Sequence, residues 1–231
     1  KLREAVPYEV RVMQDGDTVA ETDFRTLNPE PPIGRTIRIG PGQSKFSASG
    51  TPEAWIRLVA DGPIDAGRAR EAALELRGAS YVLIEGLTIR GGRRHGIWLD
   101  GCDHVIVRNC DVAGFGRHGV LMFQYAYANG RFFDHDGEVV THDAGIYLGR
   151  SSQVLVEQCH IHDGRTRSVG WAMSHPTGSA AILMDTLRGS TVIRYNDLVG
   201  SRLHPYDDVI LSVKNNDPAG GPARDAGIYG N

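Results

Sequence analysis

The sequence predicts an all-β solenoid on three observations: an eight-residue apolar pattern that returns down the chain, a shorter strand motif ahead of each return, and Gly/Asp/Asn turns where helical periodicity would otherwise run. Val82–Ile89 and Val105–Val112 match at their first, third, sixth and eighth residues with a shift of 23. Val154–Ile161 and Thr191–Leu198 fit the same template, and a fifth copy begins around Ile228. The third positions (Ile84, Val107, Val156, Ile193 and Ile228) stand 23, 49, 37 and 35 residues apart. Gly96–Leu99, Gly145–Leu148, Ala181–Met184 and Val209–Leu211 precede the copies. Each unit reads as strand, turn, strand, tight bend, short strand, then a loop of variable length. A unit this small cannot bury its own apolar face, so it must stack on its neighbours; coils of about 22 residues doing so make a right-handed parallel β-helix. An antiparallel sandwich would want hairpin pairs between its runs; Asn129-Gly130 is the single Asn-Gly, although Asp-Gly recurs, as at Asp100-Gly101.

Taken in order, Lys1–Gly50, with its Asn28-Pro-Glu-Pro-Pro32 run, reads as a cap over the open end of the stack. Residues 1–71 then hold the cap and first half-coil, and 72–231 the coils. At Asn109-Cys110 the alternation breaks and the chain turns a corner, which puts the strands of one coil into different sheets. The sixth positions form one column: Leu87, Cys110, Cys159, Asn196 and Asn231. A buried asparagine there can bond its amide to the backbone of the next coil. The two cysteines read first as small core residues and second as a disulfide or metal pair, and Cys102 sits in a turn without an evident partner. The last coil stops part-way, which implies a piece of a longer solenoid.

Composition removes several functions. A net charge of −3 over 231 residues gives no pull toward nucleic acid. No apolar run approaches the roughly 18 residues of a membrane span. Three cysteines without a Cys-x-x-Cys pair argue against a disulfide scaffold or zinc ribbon. Nothing at Lys1 reads as a secretory leader.

From Ala72 to Asn231 the coils resemble the repeats of the pectin-lyase-like superfamily, and Thr51–Gly67 resembles its first half-coil. That resemblance implies a secreted, periplasmic or cell-surface protein whose polysaccharide partner lies along the outer face of the sheet built by strands like Gly96–Leu99. The Trp-Ile-Asp-His and Arg-x-Pro-x-x-Arg signatures of pectate lyases are missing, as are Asn-Thr-Asp, Gly-His-Gly and Arg-Ile-Lys of polygalacturonases. The likeness therefore speaks for the fold and leaves the reaction open.

Strand alternation picks out the groove face. With Ile97 and Leu99 inward, Trp98 and Asp100 point outward, and the same register sends out Tyr147, Leu183, Asp185, Ile210 and Ser212. Trp98 and Tyr147 are either platforms for sugar rings or packing beneath the long insertion Phe123–Asp143, itself a candidate lid. Arg94-His95 and Arg117-His118 lead toward groove strands one coil apart; with Arg165 they would meet carboxylates or sulfates of an anionic polymer, or else stay as solvated turn charges. A second cluster holds His204, Tyr206, Asp207, Asp208 and Lys214. β-Elimination needs a base for the proton α to a uronate carboxylate and a cation for the enediolate. Lys214, His204 or Tyr206 fits the base, and Arg or Ca²⁺ the cation, with Asp185, Asp207 and Asp208 able to hold Ca²⁺. A hydrolase would use two carboxylates instead, such as Asp207 or Asp208 with a partner. Asp134, His135 and Asp136 make a weaker metal candidate. The expectation is a lyase acting on an acidic polysaccharide, with hydrolysis or a non-catalytic adhesive solenoid as alternatives.

Overall fold

The computed structural model describes residues 7–14, 17–25, 28–41, 43–116, 119–121, 143–168, 180–199, 209–214 and 226–230. Within them the chain is a right-handed parallel β-helix of three sheets, with no helix among the described residues. The first sheet, called the groove sheet below, stacks Lys45–Phe46, Ala72–Arg77, His95–Asp100, Ala144–Gly149, Ala180–Asp185 and Val209–Lys214. A second sheet stacks Ile33–Ile39, Trp55–Ala60, Ser80–Glu85, Asp103–Arg108, Ser152–Glu157, Thr191–Arg194 and Ala226–Tyr229. The third holds Ile64–Asp65, Thr88–Arg90, Asp111–Ala113, His160–His162 and Asp197–Leu198. Pro7–Gln14 and Asp17–Arg25 form a separate antiparallel hairpin.

The apolar repeat is the register. Val107 lies between Ile84 and Val156, Val156 pairs with Ile193, and Ile193 with Ile228. Ile97, Ile146 and Ile182 stack likewise on the groove sheet, all fully buried. Ile182 pairs with Leu211, which sets Ile210 level with Ala181 in the ladder.

At the tight corner the residue ahead of the column adopts a left-handed backbone: Gly86, Asn109, Gln158 and Tyr195 have φ of 67°, 52°, 55° and 56°. Glycine and asparagine accept that region readily; glutamine and tyrosine are held in it by the ladders on either side. The column behind it is buried at Leu87, Cys110, Cys159 and Asn196. Asn196 bonds backbone at the bend, but that of the preceding coil and not of the next: Nδ2 donates to Val156 O at 3.1 Å and Oδ1 accepts from Cys159 N at 3.0 Å. Cys102, Cys110 and Cys159 are free and buried. Cys102 belongs to the core as well, donating to Leu76 O at 3.4 Å, and burial pushes its thiol up. A bond donated to Cys110, together with burial, holds the Cys159 thiol well above the usual range.

The 23-residue echo does not extend to the groove sheet. His95 pairs with Ala144, 49 residues on, so the position of Arg94 is taken in the next coil by Asp143. The second Arg-His-Gly instead leads to Gly119–Leu121, which pairs with Thr166–Ser168 in a small parallel sheet of its own. Long insertions enter between the third sheet and the groove sheet, after Ala113, His162 and Leu198, and once between the groove sheet and the second sheet, at 215–225.

The outer face of the second sheet carries an apolar row of Leu83, Ile106 and Leu155 beside Trp55, followed by a charged row of alternating sign. Glu85, Arg108, Glu157 and Arg194 are in register across four coils. Arg108 Nε and Arg194 Nε each lie 2.7 Å from a Glu157 oxygen, with Glu157 itself buried.

Replacing Asn196 by alanine strands the Cys159 N–H and the Val156 carbonyl, and should cost about 1–3 kcal/mol in urea denaturation. The three thiols should react with a thiol reagent only after unfolding; any equivalent reacting in the native state would contradict their burial.

Candidate functional site

Register builds two rows on the outer face of the groove sheet. Glu75, Trp98, Tyr147, Leu183 and Ser212 form the first; Arg77, Asp100, Gly149, Asp185 and Lys214 form the second. Ahead of both, at the start of the strands, Ala72, His95, Ala144 and Ala180 are all buried. The accessible part of the face is therefore its later end, around the second row.

Trp98 and Tyr147 touch edge to face, with centroids 5.9 Å apart and planes at 80°. His95 packs against both, at 5.1 Å and 4.7 Å, and is fully buried. Two guanidinium groups lie over the indole, Arg77 at 4.8 Å and Arg94 at 5.7 Å from its centroid. Such contacts contribute about 0.5–2 kcal/mol, more as water is excluded.

The two arginines differ in kind. Arg94 is 19% exposed and faces Asp143, a carboxylate with no exposed surface, at 3.8 Å, with Glu71 also at 3.8 Å. Once Asp143 is ionised inside the fold, a cation at Arg94 is required. Arg77 is 57% exposed and bonds only Glu75 among the contacts described. Arg150, also 57% exposed, grips Asp100 through both Nε and Nη2. Among the described side chains, the exposed cations on this face are thus Lys45, in register with Glu75, and Arg77 and Arg150, residues that strand alternation and the Arg-His-Gly echo passed over. Arg150 follows the strand end in a left-handed conformation, φ 49°, which swings it back over the face.

Tyr147 leans along the face because Gly149 lets it: a Cβ on Gly149 would stand 2.6 Å from the tyrosine ring. The phenol then donates to Asp185 Oδ2 at 2.8 Å, while Thr186 Oγ1 donates to Asp185 Oδ1 at 2.9 Å. Burial, the Asp185 bond and the charges of Asp185 and Asp100 raise the phenol pKa far above the tyrosine range, against a smaller opposing pull from Arg94. Tyr147 is consequently a proton donor at neutral pH and not a base.

Trp98, Asp100, Tyr147, Arg94 and Asp185 are thus brought together. Arg165 lies elsewhere, with its N–H on Phe115 O at 2.8 Å and its guanidinium against Gly114. Lys214 reaches the second row in register with Asp185, though its side chain is outside the described part. Arg117, His118, His204, Tyr206, Asp207 and Asp208 fall outside the described residues, as do Asp134, His135 and Asp136 and all of the insertion Phe123–Asp143, expected as a lid, except Asp143. A cleft of about 740 Å³ opens instead on the second sheet, between Pro31, Pro32 and Pro52 and the faces of Trp55, Tyr81 and His104. Its histidine is already stacked on Tyr81 at 4.7 Å and paired with Asp103, and it gathers no set of reactive groups like that on the groove sheet.

Replacing Arg94 by alanine should lower stability by about 3 kcal/mol, because it strips a cation from buried Asp143. The same change at exposed Arg77 should cost less than about 1 kcal/mol; equal losses in chemical denaturation would refute the distinction. A folded pKa raised above the unfolded one means that Tyr147 stabilises the protein fully below the ordinary tyrosine value near ~10, with the contribution fading as pH climbs from there toward the folded value. Phenolate difference spectra of the wild type and Tyr147→Phe should coincide at that pH.

The profile described as "Right handed beta helix region" matches residues 72–199, more than half of the chain. Among solved structures, the crystal structure of alginate lyase from Paenibacillus sp. str. FPU-7 aligns with a TM-score of 0.42 at 16% identity, covering 88% of this chain and 70% of that one. No curated protein matches the sequence.

Proposed function

This chain belongs to the right-handed β-helix family, and from that premise we propose that its groove sheet binds an acidic polysaccharide and cleaves it by β-elimination. The fold alone does not select this reaction. The observation that carries the proposal is the Trp98–Tyr147 pair beside the exposed guanidinium groups of Arg77 and Arg150. Successive coils are spaced about 4.8 Å apart, close to the length of one sugar residue, so neighbouring rings of a polymer can lie on neighbouring coils. The apolar face of a sugar packs on Trp98, and a uronate carboxylate accepts from a guanidinium released from its surface ion pair.

In the reaction the base removes the proton α to the carboxylate, the bond from the β carbon to the glycosidic oxygen breaks, and a carbon–carbon double bond forms. The leaving oxygen takes up a proton, and Tyr147, kept protonated by burial and Asp185, is the donor on this face. Arg77 and Arg150 offset the charge that builds on the carboxylate. Lys214, next in register to Asp185, is the base favoured by position, with His204 and Tyr206 the other candidates. A Ca²⁺ ion held by Asp185 and Asp208 would supply the same neutralisation; loss of activity on chelation, restored by Ca²⁺, identifies that version. A polymer substrate of this kind is met outside the cytoplasm.

Hydrolysis has one observation in its favour. Asp100 and Asp185 occupy the same row two strands apart, which is about 9.6 Å at the usual strand spacing and near the upper limit for an inverting carboxylate pair. The two reactions separate on their products. Uronate and sulfated glycans incubated with the protein should yield an ultraviolet-absorbing unsaturated end, whereas hydrolysis yields reducing ends without it. Trp98→Ala should raise KM about tenfold, and Tyr147→Phe should lower kcat by about 10²–10⁴. Binding that depends on Trp98 with no product of either kind would make the protein an adhesive solenoid.

A further inference from the structure

On a different face of the solenoid, we propose that Asp111, His160 and His162 form a binding site for a divalent transition-metal ion of the zinc type. His160 and His162 are two residues apart on one strand of the third sheet, so both imidazoles stand on its outer surface. Their rings stack with centroids 4.1 Å apart and planes at 18°. The neighbouring strand sets Asp111 directly beside His160, and one ligand atom from each of the three residues lies within 4.8 Å of the others. Zinc bonds of about 2.0–2.1 Å place tetrahedral ligands about 3.3 Å apart, so a turn of the His160 ring closes the set.

The hydrogen bonds around His162 point to a cation. Its Nδ1 is 2.7 Å from Asp163 Oδ2, which in the neutral ring keeps the proton on that nitrogen. Nε2 then turns its lone pair toward Asp111 Oδ1, 3.3 Å away. The imidazole lone pair thus faces a carboxylate oxygen that also accepts from Arg90, and an ion bound there would be shared by nitrogen and carboxylate. A carboxylate behind a ligating imidazole is the arrangement that fixes ring and tautomer in zinc sites. Asp111 Oδ2 faces His160 Nδ1 at 3.8 Å, and His160 Nε2 is 3.5 Å from Asp197 Oδ2 in the following coil, a further oxygen within reach. Arg90 holds Asp111 in place through Oδ1 and through its main-chain carbonyl, the latter at 3.1 Å. Its positive charge opposes a second cation, but Asp111, Asp163 and Asp197 set three carboxylates against it. Imidazole nitrogen with carboxylate oxygen favours zinc, nickel or copper over Ca²⁺ or Mg²⁺. Because Asp111, His160 and Asp197 stand on three successive strands, a bound ion pins three coils together at a distance from the groove chemistry.

The test uses the chain stripped with EDTA and titrated with Zn²⁺ by calorimetry, and with Co²⁺ by visible absorption. Saturable binding with Co²⁺ bands of a nitrogen-ligated site is expected, with a higher melting temperature for the Zn²⁺ form. His160→Ala and His162→Ala should each weaken Zn²⁺ at least tenfold, and the double variant should abolish the Co²⁺ bands. Asp163→Asn, at a side chain 66% exposed, should weaken binding about tenfold without touching a ligand, which keeps the test valid if a histidine variant folds poorly. Unchanged metal binding in the double variant, an absence of saturation, or displacement of Zn²⁺ by equimolar Ca²⁺ would overturn the proposal.

Discussion

Parallel register is the constraint on which everything else in this molecule rests. Each strand must sit about 4.8 Å above its equivalent and offer its N–H and C=O groups in phase. Once Val107 is locked between Ile84 and Val156, every other residue of the coil has a fixed neighbour above and below. Inward positions become continuous columns, and outward positions become rows in which any chemistry is set by what happens to be stacked. The corner residues carry the local cost. Gln158 and Tyr195 are held in left-handed backbone because leaving it would take whole ladders out of phase.

The outer rows show how such a scaffold assembles a site without assembling a sequence motif. Trp98 and Tyr147 are 49 residues apart, and Tyr147 and Asp185 are 38 apart, yet all three meet. The face balances charge locally: Arg94 against Asp143, Arg150 against Asp100, Arg77 against Glu75. Among the pairs described, Arg150 and Arg77 keep exposed guanidinium groups while Arg94 is largely covered, so the first two can exchange an internal carboxylate for one on a ligand.

What could be read from the amino acids follows the same division. Columns repeat, so Ile84, Val107, Val156, Ile193 and Ile228 were legible as one line, and with them the solenoid and the backbone bonding of Asn196, though not which coil it bonds. Rows do not repeat. Arg117 looked like the partner of Arg94 because the second and third sheets keep a 23-residue step, while an insertion displaces the groove strand and puts Asp143 in that place. Arg150 escaped notice because its usefulness depends on a left-handed turn, which composition does not announce. His160 and His162 did carry a signal, two imidazoles at strand spacing, but their partner Asp111 lies 49 residues before His160 and becomes visible only with the register.

The row Glu85, Arg108, Glu157, Arg194 has a consequence for how coils can be rearranged. Its signs alternate, so the two inner coils, those of Arg108 and Glu157, each sit between two of the opposite sign. Duplicating or deleting one of these inner coils would place like charges side by side beside the same apolar strip, whereas moving the two together would keep the alternation. Along this edge the unit of growth is a pair of coils, although the unit of folding is one.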